Sequence, residues 1–208
     1  MKKFILGSKL NMTQIFDPSG KIVHVTVIKA GPVKVVQVKK QDGKDGYAAV
    51  QVGFGSRRNV SKAVKGHVKS DKGYKHIREF KVSGDSNLEV GQKIDVSQFN
   101  PGDFVDVQGV MKGRGFTGPV KRYDFRGAPA SHGHDHPRAV GSIGGRFPQH
   151  TMKGKRMAGR MGGNNVTVKN LEVVEIDAKK NVMAVKGAIP GAIGGLLRIT
   201  QSQKAAKK

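Results

Sequence analysis

The feature that most restricts the fold is an abrupt loss of apolar periodicity in the middle of the chain. Residues 111–165 contain 12 Gly, 4 Pro, 11 Lys or Arg and only 2 acidic residues. Neither the two-residue period of a strand nor the 3.6-residue period of a helix continues through this segment. Such a long irregular stretch is uncommon inside a compact domain unless it is functional or disordered. We therefore expect an insertion that carries the function of the chain.

Both flanks of this segment have the sequence pattern of short β-strands. Their apolar runs are rich in β-branched residues and are bounded by Gly, Pro or Asp-Gly turn signals. The predicted strands are 22–28, 33–39, 47–54, 93–96, 103–110, 165–177, 181–186 and 196–199. Their spacing is typical of antiparallel strands in a barrel or sandwich. The sequence thus predicts a mainly β fold.

The same pattern predicts how the chain is divided. A discontinuous β body takes up 1–110 and 165–200, and a basic, partly helical insert interrupts it at about 56–80. A long irregular Gly/Arg-rich central extension occupies 111–164, and a flexible basic tail follows at 201–208.

Charge indicates the kind of partner. The chain has 38 Lys and Arg against 15 Asp and Glu, which gives a formal net charge of +23. Free in solution such a chain repels itself, and nucleic acid is the commonest polyanion that relieves the repulsion. We find no amphipathic helix or lipid signal for a membrane surface, and the apolar run at the N-terminus is too short for a signal peptide. We expect a soluble, cytoplasmic protein.

The chain contains no cysteine, so disulfides, thiolate zinc sites and cysteine nucleophiles are excluded. A metal site is nevertheless suggested by "HGHDH" at 132–136, which brings three imidazoles and a carboxylate together. Arg126 and Arg138 flank the strip and disfavour a dication, and few carboxylates are available to orient the imidazoles. We expect these side chains to contact RNA and predict no metal. A zinc-dependent hydrolase remains the rival hypothesis.

The glycine pattern "GRGFTG" at 113–118 has the spacing of a dinucleotide-binding fingerprint. That fingerprint requires a parallel βαβ unit and a helix whose first amides meet the pyrophosphate. The residues that follow show no amphipathic helix, and the neighbouring strands have antiparallel spacing. We therefore predict no cofactor, no small-molecule substrate and no catalytic residue.

Basic and aromatic residues alternate through the extension, most densely in "KGKRMAGRMGG" at 153–163. Arginine forks bind phosphates, aromatic rings stack on unpaired bases, and glycine lets the backbone approach closely. We expect this extension to bind RNA and to become ordered on it. A protein that compacts DNA without sequence preference is a further alternative.

The body has a second basic cluster, which suggests another patch in contact with phosphate. Its members are Arg57, Arg58, Lys62, Lys65, His67, Lys69 and Lys72. Of these, Arg57 and Arg58 are predicted to be RNA-binding residues.

Nine segments, in order along nearly the whole chain, carry a resemblance to a known family. They include "GSKLNMTQIF", "VTVIKAGP", "DGYAAVQVGF", "VDVQGVMKGRGFTG", "SHG", "GSIG", "KGKRMAG", "NLEVVEID" and "VKGAIPG". Together they resemble the bacterial members of the ribosomal protein L3 family of the large subunit. The added His134 and His136 have no counterpart in that pattern.

The resemblance implies a β-barrel body of the kind found in translation factors. It also implies a central extension that threads through large-subunit ribosomal RNA, with 144–153 nearest the peptidyl-transferase centre. Neighbouring ribosomal proteins are implied as partners, the ribosome as the location, and early subunit assembly as a role without catalysis. The predicted RNA-binding residues of the extension are Lys112, Arg114, Lys121, Arg122, Arg126, His132, Arg138, Arg146, Phe147, Gln149, His150, Lys153, Lys155, Arg156 and Arg160.

Overall fold

The structure is a computed structural model that describes residues 2–43, 45–69, 73–82 and 88–203. The chain divides into two compact units. The first, called the body, comprises Met1–Val110 and Asn165–Lys208, and the second, called the extension, is Met111–Asn164. Most of the predicted tail, 204–208, lies outside the described residues.

Short strands dominate the described chain, which confirms the mainly β prediction. In chain order the elements are β1 (Phe4–Phe16), β2 (Ile22–Ala30), β3 (Val33–Lys39), β4 (Ala49–Arg57), α1 (Lys62–Val68), β5 (Gly73–Lys81), β6 (Lys93–Ile94), a 3₁₀ turn (Val96–Gln98), β7 (Phe104–Val110), β8 (Phe116–Thr117), α2 (Pro119–Tyr123), β9 (Gly159–Arg160), β10 (Asn165–Asp177), β11 (Val182–Lys186) and β12 (Leu196–Gln201).

Six strands of the body form a closed antiparallel ring in the order β1-β12-β7-β10-β11-β2, with β2 pairing back onto β1. The two longest strands, β1 and β10, are both 13 residues long and both change register along their length. In β1 the shift falls between Lys9 and Met12. Such bulges bend a strand and increase its twist, which closure of a ring requires.

A four-stranded sheet, β5-β4-β3-β6, packs against this ring and shares its core. Val50 and Val52 of β4 are fully buried on the same face as Phe80 of β5, which is 2% exposed. The Phe80 ring stacks on that of Phe4 from β1, with centroids 4.6 Å apart. Each such side chain contributes about 1.5–3 kcal/mol when buried, so this contact is a main attachment between sheet and ring.

The opposite face of the sheet has a polar network instead. The Lys39 ammonium donates to the Tyr47 hydroxyl at 3.0 Å and pairs with the Glu79 carboxylate at 2.9 Å. The hydrogen bond to Tyr47 and the nearby Glu79 raise the pKa of Lys39, while the hydrogen bond from Lys39 lowers the pKa of Glu79. The pattern therefore separates an apolar face, buried against the ring, from a solvated face.

All eight predicted strands correspond to observed strands, and 33–39 coincides with β3. The 93–96 strand is shorter than predicted, because Val96 begins a 3₁₀ turn. Two strands of the body were missed: β1 at the N-terminus, and β5, which lies where the sequence indicated an irregular basic insert. Five charged or imidazole side chains in β5 hide its alternation. Its buried Phe80 packs in the core against residues from strands that are distant in the sequence.

Candidate nucleic-acid interface

The extension begins and ends in a paired backbone that we call the stem, residues 111–118 and 159–164. β8 and β9 pair antiparallel within it. Nearer the two ends of the extension, the Arg114 amide donates to the Met161 carbonyl at 2.9 Å, and the Met111 amide donates to the Asn164 carbonyl at 3.0 Å. The sequence predicted no regular structure here, and this is a difference: two-residue strands are too short to produce a periodic pattern.

Gly162 is the position where the stem has no room for a side chain. Its φ is +79°, and a Cβ there would lie 2.3 Å from the Lys112 carbonyl oxygen. Both the left-handed backbone and the close approach of the opposite strand therefore require glycine.

We expect Gly162→Ala to open the stem locally, because strained backbone of this kind costs on the order of 1–3 kcal/mol before the clash is added. Amide hydrogen exchange should become faster at Arg114 and Met161 and stay unchanged in β12. Gly154→Ala is the control, since its φ is also positive, +82°, but nothing lies within 4 Å of its Cβ position. Equal exchange rates in both variants would contradict the close packing inferred for Gly162.

A five-residue helix, α2, follows the stem, whereas the sequence indicated no helix after 113–118. Pro119 starts it, and Asp124 ends it in the left-handed conformation. This helix is too short to show an amphipathic pattern, and residues 116–117 pair antiparallel with β9 rather than within a parallel βαβ unit. The geometry is therefore not that of a dinucleotide site.

Arg122 of α2 is the one predicted RNA-binding residue of the extension that is half-buried. Its guanidinium donates to the Met157 carbonyl at 2.8 Å and lies 5.0 Å from the Tyr123 ring centre. Arg156 approaches the same ring at 5.8 Å. Arg122 thus holds two sections of the extension together, a structural contact that its sequence context did not indicate.

The histidine strip 132–136 lies in a bend in which every residue is exposed, and His132 has a positive φ of 72°. Among the described residues, no group of three His, Asp or Glu side chains comes close enough together to hold a metal ion. The geometry of the strip therefore offers nothing to the rival zinc hypothesis.

Residues 141–156, which we call the tip, are exposed without exception. Large apolar side chains are among them: Phe147 is 73% exposed and Met152 is 59% exposed. The Arg146 guanidinium lies 5.8 Å from the Phe147 ring centre. Exposed rings and guanidinium planes of this kind can stack on unpaired bases.

The cations of the extension have few local counter-charges. Only Asp124 and Asp135 oppose the eleven Lys and Arg, and none of those eleven forms an ion pair with a carboxylate in the part of the chain that the structure describes. Apart from Arg122, every predicted residue is exposed: Lys112, Arg114, Lys121, Arg126, His132, Arg138, Arg146, Phe147, Gln149, His150, Lys153, Lys155, Arg156 and Arg160.

The second basic patch lies at the end of β4 and on α1, with Arg57 and Arg58 both exposed. Ser61 caps α1 by accepting a hydrogen bond from the Val64 amide. His67 faces the sheet instead, with its Nε2 2.5 Å from Gln51 Oε1. Lys72 lies outside the described residues. The described arginines and lysines of the patch are therefore exposed cations: Arg57, Arg58, Lys62, Lys65 and Lys69.

Sequence reasoning missed one group of basic side chains in the body: His76 and Arg78 of β5 with Arg198 of β12. They line a single cavity of about 270 Å³. Burial and the nearby Arg78 lower the pKa of Arg198, and burial together with Lys75 and Arg78 lowers the pKa of His76. The signal in the sequence was an arginine, Arg198, between two large apolar residues, Leu197 and Ile199, which the structure shows to be buried.

Known proteins identify the family. Residues 80–184 match the family described as Ribosomal protein L3. Large ribosomal subunit protein uL3 of Streptococcus mutans is 52% identical over 212 residues, and the alignment covers 100% of both chains. The chain belongs to the ribosomal protein L3 family. The corresponding proteins of Herpetosiphon aurantiacus and Natranaerobius thermophilus are 49% and 47% identical and are covered over 98% and 99% of their lengths.

Membership of the L3 family confirms the resemblance found in the sequence. L3 proteins are structural, non-enzymatic components of the large ribosomal subunit, so the prediction that the chain is not an enzyme is confirmed and the hydrolase hypothesis is set aside. The predicted location in the bacterial ribosome is likewise confirmed by the family. Within the described ranges, no helix is long and apolar enough to span a bilayer.

Proposed function

We propose that this chain binds large-subunit (23S-type) ribosomal RNA, with residues 111–164 as the arm that threads into it. Under this proposal the chain acts early in subunit assembly, next to neighbouring ribosomal proteins. The tip, including Phe147, Gln149 and His150, braces RNA near the peptidyl-transferase centre. The observation that supports this proposal best is that ten Lys and Arg side chains are exposed on one irregular segment, none with a described carboxylate partner.

Electrostatics favours a polyanion as the occupant of this surface. With eleven cations and two carboxylates, the extension has a formal charge of +9, and its cations have no described carboxylate partners. Each phosphate that such side chains neutralise releases condensed counterions, which provides affinity at low salt. The charge therefore supports phosphate contacts along the whole extension.

Shape favours folded RNA over duplex DNA. The stem is fixed by backbone pairing and the Arg122–Met157 hydrogen bond, while the tip has no strand or helix of its own. An irregular arm of this kind presents single guanidinium and aromatic groups in many directions, which suits loops and bulges with unstacked bases. A regular groove would call instead for a helix or β-ribbon, and neither extends through the tip.

We expect the nuclease-treated protein to prefer large-subunit RNA fragments to duplex DNA, because RNA loops offer bases as well as phosphates. Its affinity should fall steeply with salt, with log K decreasing by about 0.7–0.9 per phosphate contact for each tenfold rise in salt. Competition binding across a salt series, with unlabelled duplex DNA as the competitor, measures both effects.

Equal competition by duplex DNA at every salt concentration would contradict the proposal. It would instead support the alternative of a sequence-indifferent DNA-compacting protein. A structured RNA from an unrelated source, matched in length, distinguishes recognition of ribosomal RNA from attraction to any folded RNA.

A further inference from the structure

The cavity lined by His76, Arg78 and Arg198 lies in the body, outside the extension. It opens where β5 of the four-stranded sheet passes the ring strands β7, β10 and β12. Two amide side chains, Gln108 and Asn165, complete its polar lining, and none of the described residues that line it is acidic. We call it the arginine cavity.

Strand alternation places Arg198 at this position. Leu197 and Ile199 are 1% and 0% exposed, so the residue between them points away from the ring interior, towards the sheet. Its guanidinium donates to the Glu79 carbonyl at 2.6 Å and lies 5.0 Å from the Phe80 ring centre. Arg198 is thereby held in one orientation, although only part of its five N–H donors is used.

Arg78 brings a second guanidinium to the same space. Arg78 lies on the same face of β5 as Phe80, which is buried, and as His76, which also lines the cavity. Its guanidinium donates to the neighbouring Ile77 carbonyl at 2.8 Å, which leaves most of its donors for another acceptor. Two like charges thus share one concave site, a costly arrangement unless an anion lies between them.

No described carboxylate pairs with His76, Arg78 or Arg198. Glu79, the nearest acidic residue in sequence, binds Lys39 on the opposite face of the sheet. Partial burial and the like charge of Arg78 both lower the pKa of Arg198. The described residues around the cavity therefore supply two guanidinium cations and no carboxylate to neutralise them.

We propose that the arginine cavity binds one backbone phosphate of the RNA, as a fixed contact separate from the extension. Guanidinium forks suit phosphate oxygens, and amides such as Gln108 and Asn165 can meet a ribose hydroxyl beside it. At about 270 Å³ the cavity is slightly below the usual range for small-molecule ligands, which suits one phosphate with its sugar. This inference rests on the proposed RNA-binding function.

The test compares Arg78→Gln, Arg198→Gln and the double variant in RNA binding across a salt series. Removing one phosphate contact should reduce the slope of log K against log salt by about 0.7–0.9. Because both arginines hold the same phosphate, the double variant should lose about one unit of slope and not two. The control is Lys179→Gln, which removes one charge from an exposed turn of the body.

Ethylation interference on the same RNA identifies the phosphate. A position where ethylation weakens binding of the wild type should become insensitive in Arg78→Gln and in Arg198→Gln alike. Arg198→Gln also loses the hydrogen bond to the Glu79 carbonyl and could unfold for that reason. Arg78→Gln changes an exposed residue, so the test can still be decided with that variant.

The outcomes separate this inference from the function on which it rests. If the wild type shows no preference for ribosomal RNA, the proposed function fails. If the wild type binds that RNA steeply with salt but Arg78→Gln matches Lys179→Gln in slope and in interference pattern, the arginine cavity alone is overturned. If inorganic phosphate binds in the cavity and RNA binding at constant ionic strength is unchanged, the arginine cavity is also overturned, because it would then hold a free anion and not a backbone phosphate.

Discussion

Replacing Arg114, Arg138, Arg146 and Arg156 together by glutamine should weaken RNA binding roughly a hundred- to a thousand-fold at physiological salt. All four side chains are exposed on the extension and lack a described carboxylate partner. Each lost phosphate contact removes about 0.7–0.9 from the salt slope, which corresponds to roughly fourfold to fivefold in affinity at this salt concentration. Four independent contacts multiply to the stated range.

The matched control removes four charges from the body: Lys21, Lys29, Lys93 and Lys179, all exposed, are replaced by glutamine. Net charge is then the same in both variants, so any difference reports position and not total charge. A salt series measured by filter binding or fluorescence anisotropy gives affinity and slope together. Equal losses in the two variants would mean that diffuse charge, and not the extension, attracts the RNA.

The second large effect is on stability: Phe80→Ala should lower the free energy of unfolding by about 3–5 kcal/mol. Phe80 is 2% exposed, its ring stacks on Phe4, and the Arg198 guanidinium covers it. The substitution leaves a cavity between the sheet and the ring, which rigid β-strands cannot close. Urea denaturation followed by far-UV circular dichroism measures the loss as a lower midpoint.

Phe16→Ala provides the comparison, because Phe16 is 66% exposed near the end of β1. Its removal should change stability by less than about 0.5 kcal/mol, as for other surface substitutions. A loss of similar size in both variants would show that the Phe4–Phe80 contact is not a main attachment between sheet and ring.

The strands that the sequence predicted best are those whose own residues carry the pattern. In β3 the run "VKVVQVK" lies between turn signals, and its bounds were predicted correctly. In β1 only the first residues are buried, and the remainder "NMTQIF" is largely exposed while pairing with β2. That half of β1 is stabilised by its partner strand and not by alternation, so a single sequence could not show it.

The candidate site likewise has features that the sequence could predict and contacts that it could not. Composition alone located the extension and its cations, because charge and glycine content are local properties. The hydrogen bond of Arg122 to Met157 joins residues 35 positions apart. Arg78 and Arg198 line the same cavity although they are far apart in the sequence. Contacts of this kind follow from topology, which only the folded chain specifies.

The position of the extension in the chain has a consequence for how L3 proteins can vary. It leaves β7 and enters β10 at the paired residues Val110 and Asn165, so its two ends are already neighbours in the folded body. Because closing a loop costs entropy only logarithmically, doubling its length would cost about 0.6 kcal/mol. Extensions of different lengths can therefore be carried by one barrel while the core of the body stays the same. Under the proposed function, the extension can then change together with the RNA that it binds.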